Sequence, residues 1–136
     1  MVHVALSFLF ALVGTTDKPM KYDEAFKKAD KEKKPLVILV GAKWCASCQI
    51  MKRETMNPMK ESGALKKVVV TYVDKDEQPE LAEKLMRGQT LPQVVVYSKK
   101  EGKWKRYSVT GMQSEKRMRE LLGRATSGSY TQQIVR

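Results

Sequence analysis

The sequence predicts an α/β domain with a mixed central β-sheet and helices on both faces, and three features carry that expectation. Residues 36–40 (LVILV) form a continuous apolar run of the kind that makes a strand buried on both faces. Residues 67–73 (KVVVTYV) are a second β-branched run, closed by the turn chemistry of Asp74-Lys75-Asp76. Residues 93–98 (QVVVYS) and 105–110 (KRYSVT) flank a polar connection, 99–103, that contains Gly102, the pattern of an antiparallel hairpin with a longer loop. Helical patterns separate the first three strands, and alternation followed by a hairpin gives a sheet with both parallel and antiparallel neighbours.

The chain opens on a nearly unbroken apolar stretch, residues 2–14 (VHVALSFLFALVG), which is too short for a stable membrane span and has the length of a signal-peptide core. Its flank carries only the terminal amine and His3, and Gly14-Thr15-Thr16 is a poor cleavage site. Residues 1–18 are therefore expected to be an apolar leader. It is either the signal of an exported or periplasmic protein, or an extra N-terminal element of a cytoplasmic one. Tyr22, Ala25, Phe26 and Ala29 then recur at helical spacing over residues 22–34, and Pro35 ends the helix. After the first buried run, residues 49–56 read as helix up to a break at Asn57-Pro58. Pro79 starts the next helix, Leu81, Ala82, Leu85 and Met86 form its apolar stripe, and Gly88 stops it. The last helix, about residues 114–122, buries Met118, Leu121 and Leu122. Residues 125–136, rich in Ser, Thr and Gln, are expected to be a flexible polar tail, which leaves 19–124 as the folded domain.

A length of 136 residues suits one domain with a real core, and 42% hydrophobic with 30% charged residues is the balance of a soluble folded protein. Two cysteines in one C-x-x-C and a single histidine exclude a disulfide-stapled scaffold and a four-ligand zinc site. Unless the leader folds into the site, they also exclude Ser-His-Asp and Cys-His hydrolase schemes. No G-x-G-x-x-G, phosphate-binding P-loop or H-E-x-x-H is present. The net charge of +11 is densest over residues 99–124, a surplus able to attract acidic proteins, anionic lipid or nucleic acid. With neither a nucleic-acid motif nor interleaved aromatics, the stretch reads as a solvated basic face, and no nucleic-acid partner is expected.

The segment Lys43-Trp44-Cys45-Ala46-Ser47-Cys48, placed just after a buried strand, resembles the W-C-x-x-C active-site segment of thioredoxins. Thr90-Leu91-Pro92 resembles that family's cis-proline loop and Gly111 its substrate-groove glycine, and the likeness extends over residues 22–122. The run from the C-x-x-C through Asn57-Pro58 to Val73-Asp74 is similar to exported bacterial thioredoxin-like domains. The resemblance implies a thioredoxin fold and thiol–disulfide exchange on protein substrates, as a disulfide reductase or electron relay. It implies Cys45 as the attacking thiolate and Cys48 as the resolving thiol. It further implies a monomer that uses a redox-active Cys45–Cys48 disulfide instead of a cofactor and is served by an upstream redox partner. Trp44 would form an apolar wall beside the nucleophile, with core packing as its other reading. Leu91, Pro92 and Gly111 would hold the substrate backbone, although Pro92 also fits an ordinary trans loop proline.

The chemistry accounts for this layout. A thiolate attacks a disulfide and a thiol does not, while an ordinary cysteine with a pKa of about 8.5 is mostly protonated at neutral pH. Cys45 at the start of a helix would face unpaired N–H groups and the positive dipole end, with Lys43 adding to the field. Two positions depart from the family pattern. Leu39 stands where a buried Asp assists the second thiol, and Gly41 stands where a second tryptophan is common. Two other function classes remain open on the sequence. One is Cu(I) binding or delivery by Cys45 and Cys48, with help from Met51 or Met56. The other is a non-catalytic binding module that uses the basic face and keeps the cysteines as a passive disulfide.

Overall fold

The computed structural model describes residues 18–127, so the expected leader up to residue 17 and the chain beyond residue 127 lie outside the described residues. Helix α1 (Tyr22–Glu32) leads into strand β1 (Leu36–Gly41). A long helical run follows, made of α2 (Ala46–Met51), one wide π turn (Lys52–Met56) and α3 (Asn57–Glu61). Then come β2 (Val69–Asp74), α4 (Pro79–Leu85), β3 (Gln93–Lys100), β4 (Lys103–Thr110) and α5 (Glu115–Ser127).

The four strands form one sheet in the order β2-β1-β3-β4. Strand β1 runs parallel to β2 and antiparallel to β3, and β3 and β4 are antiparallel, so the mixed sheet expected from the sequence is present. Gly41 sits opposite Asp74, Val40 opposite Gln93, and Gln93 opposite Thr110. That register brings the C-terminal ends of β1, β2 and β4 and the start of β3 to one edge of the molecule.

Side chains alternate across a strand, and β1 divides its residues between two cores accordingly. Val37 and Leu39 join Met51, Met56, Met59, Met118 and Leu122 on the face covered by the long helical run and α5. Leu36, Ile38 and Val40 join Ala25, Ala29, Ala82 and Leu85 on the face covered by α1 and α4. Every residue of β1 is buried, as its unbroken apolar run predicts.

Several boundaries differ from the sequence expectation. Helix α1 ends at Glu32, before Pro35. Lys33 takes a left-handed conformation with φ of 56°, and its N–H turns back to the carbonyls of Ala29 and Asp30. Asn57-Pro58 does not end its helix. The π turn shifts the ladder, so that the Asn57 N–H reaches the Lys52 carbonyl. A regular helix then restarts with Pro58 in its first turn, where a missing N–H costs little. Strand β2 begins at Val69, because residues 62–67 are turn and Val68 donates to the Leu65 carbonyl.

The β3–β4 hairpin has no long loop. Lys99 pairs with Trp104 and Lys100 with Lys103. The turn is Glu101-Gly102 alone, with φ of 52° and 76°, the positive values a tight two-residue hairpin requires. Helix α5 continues to Ser127. Ala125 is buried and its carbonyl accepts the Ser98 hydroxyl at 3.0 Å, so the packed domain extends past residue 124 and residues 125–127 are not tail. No helix among the described residues is long and apolar enough to cross a membrane.

Candidate functional site

Strand β1 ends at Gly41, and four residues later Cys45 caps the long helical run. Its backbone is extended (φ −81°, ψ 102°), and its sulfur accepts the Cys48 N–H at 3.2 Å, one of the donors a helix start leaves without an internal partner. Cys45 and Cys48 form a disulfide with their Cα atoms 5.2 Å apart. Cys45 retains 6% of its surface and Cys48 only 1%, and both pack against Ala42 and Leu91. The Ser47 hydroxyl lies 3.3 Å from the Cys45 sulfur, within reach of a sulfur hydrogen bond.

Gly41 has a packing reason. A Cβ there would meet the Cβ and Sγ of Cys48, both at 3.1 Å, so a larger side chain at the strand end would require the inner cysteine to give by a few tenths of an ångström. Leu39 lies two residues earlier, on the same face of β1, and is 1% exposed within the methionine-rich core. The core position two residues before Gly41 is therefore apolar where the family pattern carries an acid.

One wall of the site is the turn after β2. The Asp74 carboxylate accepts the N–H groups of Asp76 (2.8 Å) and Glu77 (3.2 Å), and the Lys75 N–H donates to the Gly41 carbonyl at 2.8 Å. Asp76 in turn accepts the indole N–H of Trp44 at 2.7 Å. The Trp44 ring is 69% exposed beside Cys45, which rules out core packing for it and leaves an anchored apolar surface. Lys43 does not reach toward the cysteines. Its ammonium is bound by Glu77, and that hydrogen bond, with the charges of Glu77 and Asp74, holds it above its ordinary pKa.

The opposite wall is the loop before β3. Leu91–Pro92 is the cis peptide of the described residues, with Pro92 buried and Leu91 half-buried against the cysteines. Gly111, at the end of β4, has φ of 85° and donates its N–H to the Pro92 carbonyl at 2.7 Å. Nothing would crowd a Cβ there, so glycine is favoured by backbone conformation and not by space.

Sequence reasoning missed two residues here. Gln93 is fully buried, and its amide holds the loop from inside. Its oxygen accepts the Arg87 N–H at 3.0 Å, and its nitrogen donates to the carbonyls of Arg87 (2.8 Å) and Thr90 (3.0 Å). The signal was a lone amide heading an apolar strand. Met112, next to Gly111, is 51% exposed and is, with Trp44, one of the two large apolar side chains exposed among the described residues. Both stand at the disulfide end of the sheet. The Thr55 hydroxyl ties Met112's loop to the long helical run by donating to the Gln113 carbonyl at 2.9 Å.

Met51 and Met56 are buried in the core around Leu39 and stand apart from the cysteine cluster. Among the described residues, no group of three or more His, Cys, Asp or Glu could hold a metal ion.

A family model described as thioredoxin-like matches residues 18–99. No curated protein matches the sequence. Among solved structures, chloroplastic thioredoxin z is 26% identical with a TM-score of 0.63, over 80% of this chain and 93% of that one. A thioredoxin from Thermus thermophilus is 24% identical with a TM-score of 0.65, over 76% of this chain and 82% of its own. The thioredoxin of Fasciola hepatica is 23% identical with a TM-score of 0.59, over 76% and 92%. The last two likenesses concern the fold alone.

Proposed function

The chain belongs to the thioredoxin-like family, and from that membership we propose that it performs thiol–disulfide exchange on protein substrates, with Cys45 attacking and Cys48 resolving. The observation that carries the proposal is the asymmetry of the pair. The Cys45 sulfur lies at a helix start with a backbone N–H directed at it, and Cys48 is sealed beneath. In the reduced protein that N–H and the helix dipole favour the Cys45 thiolate over the thiol.

The Cys45 thiolate attacks one sulfur of a partner disulfide. The partner's S–S bond breaks, its other sulfur leaves as a thiolate and takes a proton from water, and Cys45 is held in a mixed disulfide. Cys48 then loses its proton and attacks the Cys45 sulfur. The Cys45–partner bond breaks, the second partner thiol is released, and the chain is left with the Cys45–Cys48 disulfide. Two electrons have passed to the partner. An upstream dithiol returns the chain to its reduced form by the same exchange in reverse.

Trp44, Leu91 and Met112 offer apolar contact for the polypeptide flanking the target disulfide, and the Leu91-Pro92 edge, held by Gly111, lies alongside its backbone. The missing acid under Cys48 suits a protein with a narrow set of partners better than a fast general reductase. The deciding experiment is trapping. Reduced Cys48→Ser protein mixed with an oxidised model protein should accumulate a mixed disulfide through Cys45, stable until a reductant is added. Free thiol with no adduct would refute the assignment of roles.

A further inference from the structure

We propose that the cleft at the end of the sheet opposite the disulfide binds an acidic polypeptide segment of a partner protein. Lys33, Lys66 and Lys67 would meet its carboxylates, and the Trp104 wall would meet an apolar side chain between them. The sheet register puts this cleft together from distant parts of the chain. Lys33-Lys34-Pro35 precede β1, Lys66-Lys67 precede β2, Ser98-Lys99 close β3, Gly102 and Trp104 come from the hairpin, and Ala125-Thr126 end α5. Its volume is about 610 Å³, inside the range of roughly 300–1,000 Å³ typical of ligand sites.

Five lysines line the cleft against a single acid, Asp30. That acid is already committed, since the Lys99 ammonium binds it at 2.8 Å and lies 5.6 Å from the centre of the Trp104 ring. Lys34 is 3.1 Å from Glu32. Lys33, Lys66 and Lys67 are exposed and make no ion pair among the described residues. The last turns of α1 and α5 bring negative partial charge of about half an electron each, which offsets part of this field and not three ammonium groups. Cations gathered in a concave, partly apolar site focus potential toward an anion.

The remaining lining selects among anions. Buried Ala29, Pro35 and Ala125 form an apolar floor, and Trp104 is braced by Phe26 with ring centres 5.2 Å apart, so an apolar side chain has a fixed surface to meet. The charges are lysine point charges on flexible stems and not the planar arginine forks that grip phosphate. An anionic membrane fits poorly. The large exposed apolar residues of the described chain, Trp44 and Met112, are both at the other end, so nothing here inserts into lipid. Lys33 also holds a left-handed backbone position that glycine would occupy with less strain. Because the cleft faces away from Cys45, a segment bound there tethers its protein while leaving the disulfide end open, which raises the effective concentration of any target on the same partner.

The test is an NMR titration of the full chain with a short peptide of glutamates around one central leucine. The largest shifts should fall at Lys33-Lys34, Lys66-Lys67 and the Trp104 indole, with none at Cys45. Lys33→Gly/Lys66→Ser/Lys67→Ser should bind about tenfold more weakly, and Lys33→Gly alone should weaken binding while leaving thermal stability equal or higher. A control with the same charge change on α5, Lys116→Ser/Arg117→Ser/Arg119→Ser, should bind as the parent does. Cys45→Ser/Cys48→Ser should also bind unchanged, so a failure of the redox assignment would leave this result standing. Equal weakening by the control, shifts centred on the disulfide end, or no saturable binding would overturn the proposal. Tighter binding at the same residues by tripolyphosphate, or by phosphatidylserine vesicles, would overturn the choice of a polypeptide.

Discussion

At the disulfide end of the sheet the loops are tied to one another by side chains. Asp74 organises the turn that anchors Trp44, Gln93 holds the loop of Pro92 from within, and Thr55 fastens the segment carrying Met112. At the lysine end the strands are flanked by cations, three of which form no salt bridge among the described residues. One end is braced by polar contacts and exposes apolar surface. The other exposes charge over an apolar floor. A site that must present one sulfur to a target in a fixed geometry benefits from bracing, whereas a site that captures an acidic chain through flexible ammonium groups does not need it.

Substitutions at the braced end should cost most. Leu39→Asp places a carboxylate in the core on the face of β1 that meets Cys48, and should lower stability by about 3 kcal/mol. Exchange should nonetheless accelerate near neutral pH, because the new acid can take the Cys48 proton. Denaturant unfolding and turnover of a model protein disulfide check the two halves separately. A folded variant with an unchanged rate would mean that deprotonation of Cys48 is not limiting.

Gln93→Leu comes next. It leaves two loop carbonyls and the Arg87 N–H without their partner, at about 2 kcal/mol, and should slow exchange by loosening the Leu91-Pro92 edge. A loss of stability with no change in rate would show that the bracing serves the fold alone.

The smallest effect is expected at the lysine end. The Lys99 hydrogen bond, reinforced by the Lys99 and Lys33 charges, holds the Asp30 carboxyl below its ordinary value. A carboxyl whose folded pKa is lowered adds stability above its unfolded pKa of about 3.9 and loses it as pH falls through the folded value. Wild type should therefore melt slightly above Asp30→Asn at neutral pH, and the gap should close in acid. A gap that widens in acid would contradict the pairing.

Much of this was legible in the sequence, and the remainder fails for identifiable reasons. The LVILV run, the C-x-x-C after it and the Leu91-Pro92 before a strand placed the sheet, the cysteine pair and the loop facing it, because composition and turn chemistry act locally there. The helix through Pro58 was not legible, since a π turn that re-registers the ladder leaves no composition signal. Lysines masked the hairpin's outer pairs, because Lys99, Lys100 and Lys103 look like loop yet pair across the strands. Met112 and the lysine cleft owe their roles to tertiary neighbours far away in sequence, whereas Gln93 bonds within six residues and was missed because a lone amide heading an apolar strand does not announce that it is buried. The Lys43 ion pair was hidden by distance along the chain, since Glu77 lies 34 residues on.

The claim on which the account rests is that the two cysteines are unequal, one activated at a helix start and one sealed beneath it. Its most direct test is the rate of alkylation of each cysteine in the reduced wild-type protein as a function of pH, read by peptide mass spectrometry. Cys45 should react well before Cys48 at neutral pH, with a midpoint clearly below the value of about 8.5 for an ordinary thiol. Equal rates, a faster Cys48, or a Cys45 midpoint at or above the ordinary value would contradict it.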